Sequence, residues 1–163
     1  MSRTDQLLEN AHTHARSFDK SDLAMPPGLG VAVVACVDAG VNIYGILGLA
    51  EGDAHVIRNA GGVITEDAIR SLAISQRLLG TTEIILIHHA DCGMRTFHDE
   101  EFKAQIEADT GIRPAWNPEA FADAVADVRQ SVNRVRANPF LPHTDAVRGF
   151  VYNEKTGELT EAT

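Results

Sequence analysis

Apolar residues along this chain fall into two kinds of run. Gly30–Ala35 (GVAVVA) and Glu83–His88 (EIILIH) are short, β-branched and free of polar alternation, the pattern of strands buried on both faces of a parallel sheet. His55–Arg58 (HVIR) and Val147–Tyr152 read as two further strands, the latter as the final one. Elsewhere apolar positions recur at helical spacing. Ile69, Leu72, Ala73, Gln76 and Leu79 form such a stripe, opened by Thr65 as N-cap with Glu66 and Asp67 in the first turn and closed by Gly80. Weaker patterns predict helices over Asp5–Phe18, Val41–Leu49, Glu100–Ala108 and Pro118–Ala137. The last carries Phe121, Ala124, Val125, Val128, Val132 and Val135 on one side. Alternating strands and helices predict an α/β fold, a parallel-rich sheet flanked by helices. Residues 1–28 form an N-terminal arm that ends in Pro26-Pro27-Gly28 and packs away from its own domain.

With 163 residues, 44% of them hydrophobic, the chain can bury one substantial core, so residues 1–163 are read as a single domain. The 23 acidic against 14 basic side chains give a net charge of −9, which argues against nucleic acid and against an anionic membrane surface as partners. No stretch reaches the roughly 20 apolar residues of a membrane span, and the N-terminus lacks the apolar core of a signal peptide. A cytoplasmic location follows as the expectation.

Candidate chemistry gathers around the two cysteines. Cys36-Val37-Asp38 follows the first buried strand and His89-Ala90-Asp91-Cys92 follows another, so both polar elements lie at carboxyl ends of strands, where open α/β sheets bind ligands. Two thiolates, an imidazole and a carboxylate can converge there on Zn²⁺, with ligand distances of about 2.0–2.3 Å. A disulfide between Cys36 and Cys92 is the weaker alternative in a reducing compartment. If Asp38 is the fourth ligand the zinc is closed, and a purely structural role for it is the competing reading. If the fourth position is open, the metal makes hydroxide available as a nucleophile for a small electrophilic carbon. Thiolate donation weakens that effect and favours alkaline activity. Between the two elements, Asn59-Ala60-Gly61-Gly62 is a loop whose glycines permit positive φ and close backbone approach. Gly61 and Gly62, with Gly93 directly after Cys92, are taken as active-site loop positions.

Three motifs, ACVDAG at Ala35–Gly40, HVIRNAGG at His55–Gly62 and HHADCGM at His88–Met94, resemble those of the β-class carbonic anhydrases, in particular the short bacterial type. The likeness extends through SLAISQRLLG and the RGFVYNEKTGEL terminus. The resemblance implies a zinc enzyme that interconverts CO₂ and bicarbonate through zinc-bound hydroxide, with Cys36, His89 and Cys92 as fixed ligands. Asp38 then either ligates the metal or accepts a hydrogen bond from the hydroxide. The resemblance also implies a homodimer or homotetramer in which the helical arm bearing Leu7 and Leu8 reaches across a partner. Relatives of the short type include hydrolases of CO₂-like sulfur compounds, so carbonyl sulfide is the alternative substrate, and a catalytically silent zinc-binding homologue is a third reading.

The chain departs from the family pattern at one position. Where the family pairs its aspartate with an arginine two residues on, this chain has Gly40. An unpaired buried carboxylate gains most by binding the metal, so Asp38 is expected to close the site at neutral pH and to depress activity. Arg58 and Arg95 are the candidate substitute cations, although Arg58 also suits structural hydrogen bonding. His88 is expected to point away from the metal into packing, His55 to be an ordinary strand residue, and His12, His14, His98 and His143 to be solvated. Asp91 reads as a turn-capping residue.

Overall fold

The computed structural model describes residues 1–162. Its centre is a five-stranded sheet in the order β2-β1-β3-β4-β5. The strands are β1 (Val31–Cys36), β2 (Ala54–Asn59), β3 (Glu83–His89), β4 (Val147–Tyr152) and β5 (Leu159–Glu161). The first four are mutually parallel, and β5 returns antiparallel to β4. The three-residue β5 carries too short an apolar pattern to stand out in the sequence, so Val147–Tyr152 is the penultimate strand and not the final one.

The helices are α1 (Arg3–Arg16), α2 (Ile43–Leu47), α3 (Glu66–Leu79), α4 (Asp99–Thr110) and α5 (Ala124–Arg136). Thr65 caps α3 by accepting the N–H of Ala68, and Gly80 closes it in the left-handed region at φ 79°. Helix α5 begins later than its apolar stripe suggests. Asp123 is its N-cap, accepting from Val125 and Ala126, and residues 118–123 are irregular. Phe121 is thereby released from the helix to stack on His88, ring centroids 5.0 Å apart.

Leu72, Leu86, Val128, Val132 and Val135 fill the core between the sheet and α3 and α5. On the other face, Val33, Ala35 and Ile87 pack with Val41 and Ile43 around α2. That face is thinly covered: Val31, Val56, Ile85 and Phe150 are only partly buried. Helix α1 buries no residue, and Leu7, Leu8 and Phe18 stand exposed.

Strand order decides where a ligand can sit. From β1 the chain passes to β2 on one side, whereas from β3 it passes to β4 on the other, so the connections diverge at the β1/β3 seam. Such a switch point leaves a crevice at the carboxyl ends of the two strands. Cys36 is the last residue of β1 and His89 the last of β3.

Candidate metal centre

The crevice holds Cys36, His89 and Cys92, all buried, with their donor atoms within 4.8 Å of one another. The two sulfurs are 3.9 Å apart. Tetrahedral zinc with sulfurs at about 2.3 Å would set them about 3.8 Å apart, so the pair already has the spacing of two ligands. His89 Nε2 is buried without a hydrogen-bond partner, which leaves its lone pair for a cation. Three soft or borderline donors and an orphaned imidazole nitrogen fit zinc. Met94, Phe97 and Phe121 pack around the sulfurs and keep the setting apolar.

Backbone geometry brings the donors together. Cys36 arrives on a strand hydrogen-bonded on both sides. Cys92 comes three residues after β3, where the chain turns through a short 3₁₀ segment, Gly93–Arg95. Gly61 (φ 84°) donates its N–H to Cys36 Sγ at 3.3 Å. Gly62 (φ 65°) lies flat on the seam: a Cβ there would come within 2.9 Å of the Ala35 carbonyl carbon and the Cys36 nitrogen. Gly93 has open space around it and no such constraint.

Without metal, the three donors share protons. The hydrogen bond from Cys92 pulls the Cys36 thiol down to about 4, against the opposing effect of burial. The same bond, followed by burial, pushes Cys92 far above the usual thiol range. Burial alone would lower the His89 pKa, but the anionic Cys36 sulfur and Glu154 carboxylate beside the ring outweigh it and raise the imidazole to about 9.

Asp38 stands beside this trio, not in it. Its Oδ1 accepts the N–H of Gly40 at 2.8 Å in a tight turn, and the residue is half-buried. Neither arginine singled out from the sequence forms an ion pair with it. Arg58 donates to the carbonyls of Cys36, Asp38 and Val41, each at 2.8 Å, and so clamps the loop that carries the site. Arg95 donates to the carbonyls of Ala90 at 2.6 Å and Ala122 at 2.9 Å. Both guanidinium groups are spent on backbone oxygens.

His88 is fully buried, with Nε2 against Asp127 Oδ2 at 2.7 Å. His55 Nδ1 meets Ser75 Oγ at 2.7 Å, while His12, His14, His98 and His143 are exposed. Asp91 is exposed and enters the site through its N–H, which donates to Glu154. Glu154, which the sequence does not single out, also accepts from His89 Nδ1. Beside the metal centre, Ile57, Asn59, Ala60, Met94, Phe97 and Trp116 line a mostly apolar cavity of about 590 Å³.

Comparison with known proteins agrees with this geometry. The sequence model of the carbonic anhydrase family matches residues 31–115. Beta-carbonic anhydrase 1 of Mycobacterium tuberculosis is 56% identical over 163 residues, covering 100% of this chain and 99% of the relative. A carbon disulfide hydrolase of Acidithiobacillus thiooxidans is 31% identical over 98% of this chain and 90% of its own length. The crystal structure of carbonic anhydrase from Streptococcus mutans superposes with a TM-score of 0.93 at 35% identity, covering 100% of this chain and 99% of that one. Among the described residues no helix is long and apolar enough to cross a membrane. With family model, full-length identity and fold in accord around two cysteines and a histidine, the chain belongs to the β-class carbonic anhydrases.

Proposed function

We propose that this chain is a zinc-dependent carbonic anhydrase that hydrates CO₂ reversibly to bicarbonate. The observation that carries the reading is the buried Cys36–His89–Cys92 trio with a partnerless Nε2, at the strand ends of a fold shared with carbonic anhydrases. Bound by these three donors, zinc would supply Lewis acidity and make hydroxide available, toward alkaline pH because two thiolates donate charge to it. The remaining work falls to the protein. Gly61 N–H holds the Cys36 sulfur in place, Arg58 fixes the loop between Cys36 and Val41, and the apolar cavity beside Met94 and Phe97 accepts an uncharged linear substrate.

Asp38 is the catalytic carboxylate of the proposal, oriented to accept a hydrogen bond from the attacking oxygen. With glycine at position 40 it has only a backbone N–H as partner, and it is free to swing onto the metal as a fourth ligand. Turnover is then weakest at neutral pH and rises toward alkaline pH. Stopped-flow CO₂ hydration on zinc-loaded protein from about pH 7 to 9, against a Cys92→Ala control, tests the reading. Zinc-dependent hydration that the control lacks supports it; none across the range overturns it.

A second reading has its own support. The chain's relatives include a carbon disulfide hydrolase at 31% identity, and a CO₂-like sulfur compound such as carbonyl sulfide presents the same linear electrophile to the same centre. Sulfide release measured in parallel with hydration separates the two substrates. For assembly, we propose a homodimer, or a tetramer built from it. Residues 1–28 serve as the arm that crosses to the partner, because α1 buries nothing at home and one sheet face is thinly covered. For its site of action we propose the cytoplasm, in keeping with the net charge of −9 and with no membrane-spanning helix among the described residues.

A further inference from the structure

We infer that Glu154 is the positioning residue of the metal centre, fixing the imidazole of His89 and the segment between His89 and Cys92 in the geometry that receives the cation. The inference rests on the zinc reading above and adds a residue to it. In the sheet, His89 pairs with Tyr152, so the residues just past the end of β4 lie beside the metal ligands. There the chain turns back into β5: Asn153 N–H donates to the Glu158 carbonyl at 2.9 Å and Gly157 N–H to the Asn153 carbonyl at 2.8 Å. Asn153 Oδ1 also accepts the N–H of Lys155 at 2.9 Å. This braced turn aims Glu154 inward.

The Glu154 carboxylate accepts twice. It takes the Nδ1–H of His89, and its two oxygens lie 3.1 and 3.2 Å from the N–H of Asp91. One side chain thus holds a ligand ring and the backbone midway between two ligands. Once the ring is neutral, an imidazole that donates from Nδ1 carries its lone pair on Nε2, the buried atom without a partner in the crevice. A carboxylate in this place makes the ring a stronger donor and prevents it from rotating, as outer partners of metal-bound histidines do.

The test is zinc affinity by chelator competition, with Co²⁺ absorption as a geometry readout, on wild-type protein, Glu154→Ala and Glu154→Gln. Glu154→Ala is expected to bind zinc about 10–100-fold more weakly and to shift the Co²⁺ d–d bands. Glu154→Gln, which keeps an accepting oxygen, recovers part of the loss. Asn153→Ala, which loosens the turn that aims the carboxylate, is expected to give a smaller loss than Glu154→Ala. Affinity and spectrum of Glu154→Ala indistinguishable from wild type would overturn the inference, and so would a loss in Asn153→Ala greater than that in Glu154→Ala. Failure of wild-type protein to bind zinc would instead defeat the underlying metal reading. If the alanine variant does not fold, unchanged affinity and spectrum in Glu154→Gln count against the inference.

Discussion

The carboxylate of Asp38 and the backbone N–H of Gly40 are hydrogen-bonded at 2.8 Å, so position 40 offers the aspartate an uncharged backbone donor and no cation. A single backbone N–H occupies one carboxylate oxygen and carries no charge to offset it, whereas a guanidinium can engage both oxygens and neutralise them. Asp38 is therefore poorly anchored for a carboxylate next to a metal centre.

Restoring the cation is the first prediction. Gly40 does not occupy the left-handed region, and a Cβ there would meet only Asp38 Oδ1, at 3.1 Å, an atom that a small side-chain rotation moves away. Gly40→Arg should fold normally and raise CO₂ hydration near pH 7 by of order 10²-fold, the scale of one preorganised electrostatic contact. Stopped-flow rates at pH 7 and 9 check this. A gain confined to low pH fits an aspartate drawn off the metal, whereas equal rates in both proteins would show that Asp38 never obstructed the site.

Zinc uptake should be steeply pH-dependent. In the metal-free protein His89 keeps its proton to about 9 and Cys92 keeps its own beyond the usual thiol range, while Cys36 is already ionised above about 4. Both remaining protons must leave for the metal to bind, so protons compete with zinc and affinity rises with pH. Between about pH 5 and 9 the loss is about two protons per zinc, falling toward one above pH 9. Calorimetry in buffers of different ionisation enthalpy counts them. A count near zero at pH 7 would mean that the donors are already deprotonated.

Two glycines of the site should respond oppositely to alanine. At Gly62 the new methyl would strike backbone atoms of Ala35 and Cys36 at 2.9 Å and the Ile87 carbonyl at 3.1 Å, at a positive φ besides. Backbone cannot rotate away, and Gly62→Ala should lose about 2–4 kcal/mol of stability and most zinc binding. Gly93→Ala meets no atom within 4 Å and should stay within about 0.5 kcal/mol of wild type. Thermal unfolding of both variants decides it.

Buried strands and ligand motifs were legible because each is a local pattern. GVAVVA and EIILIH announce double-sided burial, and Cys36, His89 and Cys92 sit at the ends of those runs. What the sequence hides is set by distance. Glu154 lies 65 residues beyond His89 in a polar turn, and only the β3–β4 register brings the two together. The irregular segment before α5 is hidden for a related reason. Phe121 fits the helical stripe, yet Asp123 captures two N–H groups as N-cap and the aromatic ring is worth more against His88. Arg58 and Arg95 look like free cations in one dimension; in three, their donors are committed to five backbone oxygens.

His88 and Asp127 should behave as a structural pair. The ring is fully buried, stacked on Phe121 and bonded to Asp127 at 2.7 Å. Asp127→Ala leaves a buried ring nitrogen unpaired and should lower stability by about 1–3 kcal/mol while zinc affinity stays near wild type. A collapse of metal binding without loss of stability would move His88 into the functional site.

Arg58 allows a sharper separation of roles. If it is the clamp on Cys36, Asp38 and Val41 that its three hydrogen bonds describe, Arg58→Ala frees the loop whether or not a cation sits at position 40. The cost should be about 1–3 kcal/mol, visible already in the metal-free protein, with weaker zinc binding as a consequence. If instead Arg58 stands in electrically for the missing arginine, Gly40→Arg should rescue the Arg58→Ala variant. The clamp predicts no rescue: the loss from Arg58→Ala and the gain from Gly40→Arg act on different bonds and combine almost independently in the double variant. A coupling above about 1 kcal/mol in unfolding or hydration rates would assign Arg58 to the Asp38 carboxylate after all.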